Sequence, residues 1–367
     1  MLKDKLPELT AEIDTAPSED GAVVRGPGEV IPSDEQVKLM LEFRAKFCRN
    51  KETNKVDALL NRLYAHGNSG ADIGVSARSI LITGPSGCGK TRTLRRMEKK
   101  HPPYRVDGNL KQPIVFVDIR KKMTTKAVLE QMLLQLGVPP ASFAKQSEGL
   151  LMERVANMLR QQETKVVIFD EVQHLTETAT DLAQFCTTEF AKSMLNAAVC
   201  GIAFSGTEAA ADLYDALQVK RRSMGRVNFK AFDWHNPDDQ YRFRTLLQWY
   251  GERVPLKEKT NLGNPDGKEA KDHYFALRIH WMAEGVLGKA LDFVVMATEI
   301  ALHNGLEKLT REVFSEAAEL SEDSEDEKWF NPFEVDDAYI LSRRPPPAVS
   351  PKLKIWRGKR SLKQSDV

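Results

Sequence analysis

The sequence predicts an α/β protein, a five-stranded parallel sheet with covered faces, followed by a small all-helical domain. Three observations predict it. Five short apolar runs, at 78–83, 113–118, 165–171, 197–205 and 226–232, alternate with stretches of helical pattern, as parallel strands joined by crossover helices do. The first run leads straight into Gly84-Pro85-Ser86-Gly87-Cys88-Gly89-Lys90-Thr91, which matches G-x-x-x-x-G-K-[ST] without a mismatch, and a polar helical pattern follows. Beyond Asp233 the strand signal stops.

At 367 residues the chain can bury one large core and a smaller second one. Its 53 basic and 52 acidic residues nearly cancel, so the overall charge selects no polyanionic partner and only local patches can. Four cysteines, Cys48, Cys88, Cys186 and Cys200, are scattered without a C-x-x-C pair. That spacing excludes a disulfide framework and a zinc ribbon, and suits a reducing, cytoplasmic setting. No apolar run approaches the ~18 residues of a membrane span, and residues 1–20 lack the apolar centre of a signal peptide. The expectation is a soluble protein with no membrane partner.

In chain order, residues 1–32 are proline-bearing and acidic and read as a flexible arm. Residues 33–74 read as an N-terminal helical segment, with Ser33 or Asp34 capping a helix through residue 50 and a second helix over 55–64. Asn54-Lys55-Val56-Asp57 spells a guanine-reading motif, but it precedes the glycine-rich loop and sits in a polar helical stretch, so it is read as coincidence. Residues 75–234 form the α/β nucleotide-binding unit, with helices at 124–136, 149–162, 179–196 and 207–219 between its strands. Residues 235–320 form a small all-helical domain, opened by Asn236 as a cap with Pro237 at the first helical position. Residues 321–367 comprise an acidic linker and, from Arg343, a basic tail carrying Trp356.

The chemistry follows from the loop. Glycines at 84, 87 and 89 let backbone N–H groups curl around a β-phosphate, and the helix that starts there offers its positive end. Pro85, Ser86 and Cys88 complete the cradle, Lys90 reaches the β/γ oxygens, and the Thr91 hydroxyl ligates Mg²⁺. Asp170-Glu171 ends the third apolar strand. Asp170 would hold Mg²⁺ through water, and Glu171 would orient and deprotonate the attacking water. A polar residue at the end of the fourth strand, Ser205 or Thr207, would sense the γ-phosphate; alternatively Thr207 only caps the next helix. Arg221 and Arg222 stand where an arginine finger could act on a neighbouring subunit, or where a basic helix end is simply solvated. Arg120, Lys121, Lys122, Thr124 and Thr125 open the helix after the second strand. They form a cluster able to track DNA phosphates without reading bases, or an ordinary solvated helix start. His174 reads as a packed or surface residue.

Together these residues resemble the AAA+ ATPases over roughly residues 75–320, lid included. Within that group, Asp170-Glu171-Val172-Gln173-His174-Leu175 and Phe204-Ser205-Gly206-Thr207-Glu208-Ala209 are similar to the TniB/TnsC transposition ATPases, with MuB a more distant relative. The resemblance implies an AAA+ P-loop NTPase that uses ATP and Mg²⁺ and oligomerises as a ring or filament on double-stranded DNA. It would recruit a transposase and a target-selection protein, and be released by slow hydrolysis. It also implies a lid arginine against the γ-phosphate. Here the turn reads Gly285-Val286-Leu287-Gly288-Lys289, so Lys289 stands in that place and cannot grip phosphate bidentately. An initiator or secretion-type AAA+ protein would need a further domain after the lid, for which 330–367 is too short. A signalling NTPase whose arms bind proteins and never DNA stays open. A small-molecule kinase must exclude water, which Glu171 opposes.

Overall fold

The computed structural model describes residues 34–67, 77–175, 190, 193–195, 200–216, 222–321 and 329–343. Five parallel strands form one sheet in the spatial order β4-β5-β6-β1-β7: β1 (Ser79–Thr83), β4 (Ile114–Asp118), β5 (Val166–Asp170), β6 (Gly201–Gly206) and β7 (Ser223–Asn228). Strict alternation along the strands explains the layering. Val115, Val117, Val167, Phe169, Ile202 and Phe204 enter a core roofed by α4 (Thr125–Gln135) and α5 (Glu148–Gln161). Ile80, Ile82, Ile114, Phe116, Ile168 and Ala203 enter a second core roofed by α2 (Lys51–His66) and α3 (Lys90–Lys100). A sheet buried on both faces needs apolar residues at every position, which is why the strands read as unbroken runs.

Several boundaries depart from the sequence expectations. The first helix, α1 (Asp34–Ala45), stops short of residue 50, and Phe47 lies instead beneath the guanidinium groups of Arg92 and Arg96, 5.7 and 4.3 Å from its ring centre. Asn50 then caps α2 in a reciprocal box with Thr53, so that helix starts at Lys51 rather than 55. Asn54 to Asp57 is inside α2, where Val56 is fully buried. The fifth strand runs over Ser223–Asn228 rather than 226–232. Past Phe229, whose N–H donates to Thr83 O at 2.7 Å, the chain leaves the sheet, and Phe232 N–H donates to Gly285 O at 2.9 Å. An unforeseen hairpin pairs β2 (Tyr104–Val106) with β3 (Asn109–Lys111). Asp107 and Gly108 both have positive φ, as a tight two-residue turn requires. The expected arm at 1–32, most of the 179–196 helix, Arg221, the acidic run and the tail beyond Arg343 lie outside the described residues.

Helix α6 (Ala209–Ala216) lies between β6 and β7; after the sheet come α7 (Pro237–Gly251), α8 (Ala270–Met282), α9 (Leu287–His303) and α10 (Arg311–Leu320), built around Phe243, Val294, Phe314 and Phe333. Met40 and Phe43 of α1 join this core, so the N-terminal helix packs with the C-terminal helices while α2 packs on the sheet. Residues 329–343 also fold onto it through Phe333 and through α11 (Asp337–Ser342), whose Asp337 accepts from the buried Arg278 at 2.6 Å. Among the described residues no helix is long and apolar enough to cross a membrane.

The sheet and the helical part meet at His280, whose Nε2 donates to Phe232 O at 2.7 Å while Trp234 and Phe243 pack on its ring. Burial holds its pKa below the ordinary 6.5, partly opposed by the Phe232 carbonyl and by Asp233 and Asp239, with His235 adding to the depression. The unfolded chain therefore takes up a proton that the folded chain refuses. Stability is expected to fall as pH drops through the ordinary histidine range, levelling once the native pKa is passed. Urea unfolding at about pH 7.5 and pH 5.5 checks this, and His280→Gln should flatten the difference.

Candidate functional site

The glycine-rich loop is fixed at its root from both sides. Gly84 N–H donates to Gly206 O of β6 at 3.2 Å, and Thr83 accepts from Phe229 beyond β7. A side chain at Gly84 would meet the Phe229 carbonyl oxygen at 2.5 Å, so only glycine lets the backbone pass there. At the loop's end Gly89 is left-handed (φ 94°) and starts α3 with no side-chain cap. The first-turn N–H groups of α3 therefore have no capping side chain, the condition under which a helix start binds an anion.

Lys90 is 3% exposed and folds back over the loop, donating to Gly84 O at 2.8 Å and Pro85 O at 2.9 Å. Cys88 is buried beside it, and burial pushes its thiol pKa up against the pull of the Lys90 ammonium. Thr91 Oγ1 donates to Asp170 Oδ2 at 2.6 Å, joining the start of α3 to the end of β5. Asp170 is 1% exposed, and its other oxygen accepts from Glu171 N–H at 3.0 Å. Glu171 has φ 56°, a left-handed conformation costing a side-chain-bearing residue about 1–2 kcal/mol and common at functional sites. No group of three or more His, Cys, Asp or Glu that could hold a metal occurs among the described residues. A hydroxyl and a carboxylate in contact suit a hard cation that keeps water and takes its other ligands from phosphate, so the donor set fits Mg²⁺.

The strand order decides what lies between loop and carboxylates. β6 separates β1 from β5, and Phe169 pairs with Phe204. Continuing that register by one residue sets Ser205 beside Asp170 on the same face. Ser205 is fully buried and its Oγ has no hydrogen-bond partner among the described residues. Thr207 lies two residues on, past Gly206, and its N–H donates to Gln173 Oε1 at 3.1 Å. Gln173 also donates from Nε2 to Glu171 Oε2. Sequence reasoning did not single out Gln173 as a site residue. Its place two positions after a strand-ending carboxylate was the available signal, but the amide's direction depends on the short 3₁₀ turn Val172–Leu175.

Lys289, in the first turn of α9, has its Cγ and N 3.8 and 3.9 Å from where a Gly87 side chain would begin. The helical part thus rests on the loop, and the Lys289 ammonium pairs with Glu284 at 3.2 Å. Arg222 is not brought to this site. Its neighbour Ser223 pairs with Ser79 at the start of β1, so Arg222 stands at the opposite end of the sheet, about 15 Å down the strand. Arg120, Lys121 and Lys122 are exposed where β4, an edge strand, ends, and make no ion pair among the described residues. Lys122 has φ 63° in the turn, and Thr124 caps α4 by accepting from Ala127 N–H at 3.2 Å, with Thr125 as the first helical residue.

Residues 73–213 match the family model described as "AAA domain". With the parallel sheet, the glycine-rich loop and the helical region after them, the fold is that of an AAA+ P-loop NTPase. No curated protein matches the chain. Solved structures similar to it include the ORC2 protein of Aeropyrum pernix in ADPNP-ADP complexes, at 15% identity over 82% of this chain and 72% of that one, TM-score 0.48. The Aeropyrum pernix ORC1 protein in complex with DNA gives 22% identity over 77% and 68%, TM-score 0.48. Drosophila ORC bound to DNA gives 16% identity over 83% and 71%, TM-score 0.48. At these scores the likenesses carry no argument about function.

The contact between α9 and the loop admits a direct test. A side chain at Gly288 would fall 1.9 Å from Gly87 O. Gly288→Ala is expected to cost about 1–3 kcal/mol in urea unfolding, as overpacking does, because neither backbone can yield without moving the other.

Proposed function

We propose that this chain binds ATP with Mg²⁺ and hydrolyses its terminal phosphoanhydride, using the cycle as a switch on double-stranded DNA. The observation that carries the hydrolytic reading is the 2.6 Å contact of Thr91 with Asp170. It supports reading the two as a metal-holding pair, beside an uncapped helix start and an adjacent carboxylate. Gly84 to Gly89 would cradle the β-phosphate, and Lys90 would exchange the Gly84 and Pro85 carbonyls for β/γ oxygens. Thr91 and Asp170 would hold Mg²⁺, which neutralises charge on those oxygens when bound. Glu171 accepts a proton from the attacking water, whose oxygen bonds to the γ-phosphorus as the bond to the β–γ bridging oxygen breaks, giving ADP and inorganic phosphate. Ser205, with its unpartnered hydroxyl beside Asp170, is the better placed of the two sensor candidates. Residues 235–320 act as the lid, with Lys289 set beside the loop, and Arg221 or Arg222 serves a neighbouring subunit's site, Arg222 being remote from its own.

For the partner, the support is the exposed Arg120-Lys121-Lys122 cluster just past the end of the edge strand, without an ion pair among the described residues, with Thr124 and Thr125 beside it. Repeated once per subunit, it would follow a DNA backbone. The motif resemblance favours a regulator of DNA transposition that oligomerises on target DNA, engages a transposase and is cleared by hydrolysis.

Lys90→Ala is expected to weaken Mg-ATP binding about 10- to 100-fold, the worth of charge-assisted hydrogen bonds. Glu171→Gln should leave that affinity intact and lower kcat by about 10²–10⁴-fold. Nucleotide titration and phosphate release measure the two; retention of hydrolysis in both variants would refute this site, and a parent that releases no phosphate would refute the enzyme. With duplex DNA and a non-hydrolysable ATP analogue, electron microscopy should show rings or filaments. Joint reversal of Lys121 and Lys122 to Glu should lower the salt slope of DNA binding by about 2. Isolated particles, or an unchanged slope, would point to a switch that acts on proteins alone.

A further inference from the structure

The geometry points to Gln173 as a positioning residue that sets the aim of the Glu171 carboxylate and ties it to the end of β6. The inference rests on Glu171 being the base in the hydrolysis proposed above. Gln173 is 4% exposed, in a 3₁₀ turn anchored by the buried side chains of Val172 and Leu175. Its amide can lie only one way round. Thr207 N–H is a donor with no alternative role, so the atom 3.1 Å from it must be the carbonyl Oε1. The amide NH₂ is then directed at Glu171 Oε2, which as a carboxylate oxygen only accepts. Both ends of one side chain are used, so the amide cannot rotate without losing two bonds.

The seat is built for it. A side chain at Gly206 would come within 2.3 Å of Gln173 Oε1, so the last residue of β6 must be glycine to admit the amide. Glu171 itself adopts a left-handed backbone that its own side chain does not favour. Its carboxylate therefore gets its direction from outside, and Gln173 holds one oxygen while the other is left to accept from water. Because the same amide grips Thr207, any displacement of the strand end carrying Ser205 and Thr207 is passed to Glu171 through one rigid group. A phosphate sensed at β6 would thereby re-aim the base.

The test compares the full chain with Gln173→Met, which keeps length and removes both hydrogen bonds, and Gln173→Glu, which keeps the acceptor for Thr207 but replaces the donor with a repelling charge. Mg-ATP affinity is expected to stay within about threefold of the parent, while kcat falls about 10²-fold, as a misplaced catalytic group produces. Placed on Glu171→Gln, the Gln173→Met change should cost nothing more, because the group it positions is already lost. If Gln173→Met does not fold, the isosteric Gln173→Glu carries the comparison. A parental or raised kcat in the folded variants, or a loss that multiplies with Glu171→Gln, overturns the assignment. A parent without ATPase activity instead removes the enzyme proposal and this inference with it, so the two failures are told apart.

Discussion

The hydrogen bond from Thr91 to Asp170 is the interaction on which the site depends. Asp170 ends β5 and Thr91 opens the helix that follows β1, and those two strands do not touch, since β6 runs between them. Neighbouring strands lie about 4.8 Å apart, so roughly 10 Å of sheet separates the root of the loop from the end of β5. The loop and first turn of α3 span that gap, and a 2.6 Å contact closes it. The main chain must then be held at the loop's root, which the Gly206 and Phe229 bonds accomplish. It must also be held along α3, where Leu94 and Met97 pack on the sheet.

The same separation gives β6 its importance. A strand between loop and carboxylate brings its own last residues into the gap, and here those are Ser205, Gly206 and Thr207. Their surroundings differ sharply. Ser205 is sealed beside Asp170 with a hydroxyl that has no partner among the described residues, whereas Thr207 engages Gln173 through its backbone. Leaving a buried hydroxyl unpaired costs about 1–3 kcal/mol, an expense seldom kept in a core without a use.

The helical region is joined to the sheet at several points rather than by a single linker. Phe232 bonds Gly285 and His280, Gly288 sits against Gly87, and Arg92 of α3 donates to the backbone at Lys46 and Arg44. Met40 and Phe43, from before the sheet in sequence, close the core of the helices after it. A displacement of α9 is therefore felt directly by the phosphate loop.

The amino-acid sequence alone determined the local features: the loop at 84–91, the strand ending in Asp170-Glu171, the parallel sheet and the helices after Asp233. Each rests on spacing within one segment, through glycines that tolerate unusual backbone, apolar runs long enough for a doubly covered strand, and caps such as Asn236. Tertiary structure decided everything that depends on which segments meet. Phe229 to Phe232 looks like strand by alternation, yet it leaves the sheet because Gly285 offers a partner. Ser205 and Thr207 are equivalent as polar strand-end residues, and only strand order and register separate them. Gln173 became part of the site because a turn of a few residues aims its amide between two elements distant in sequence. Side-chain direction across such a gap is a property of packing, which spacing along the chain does not encode.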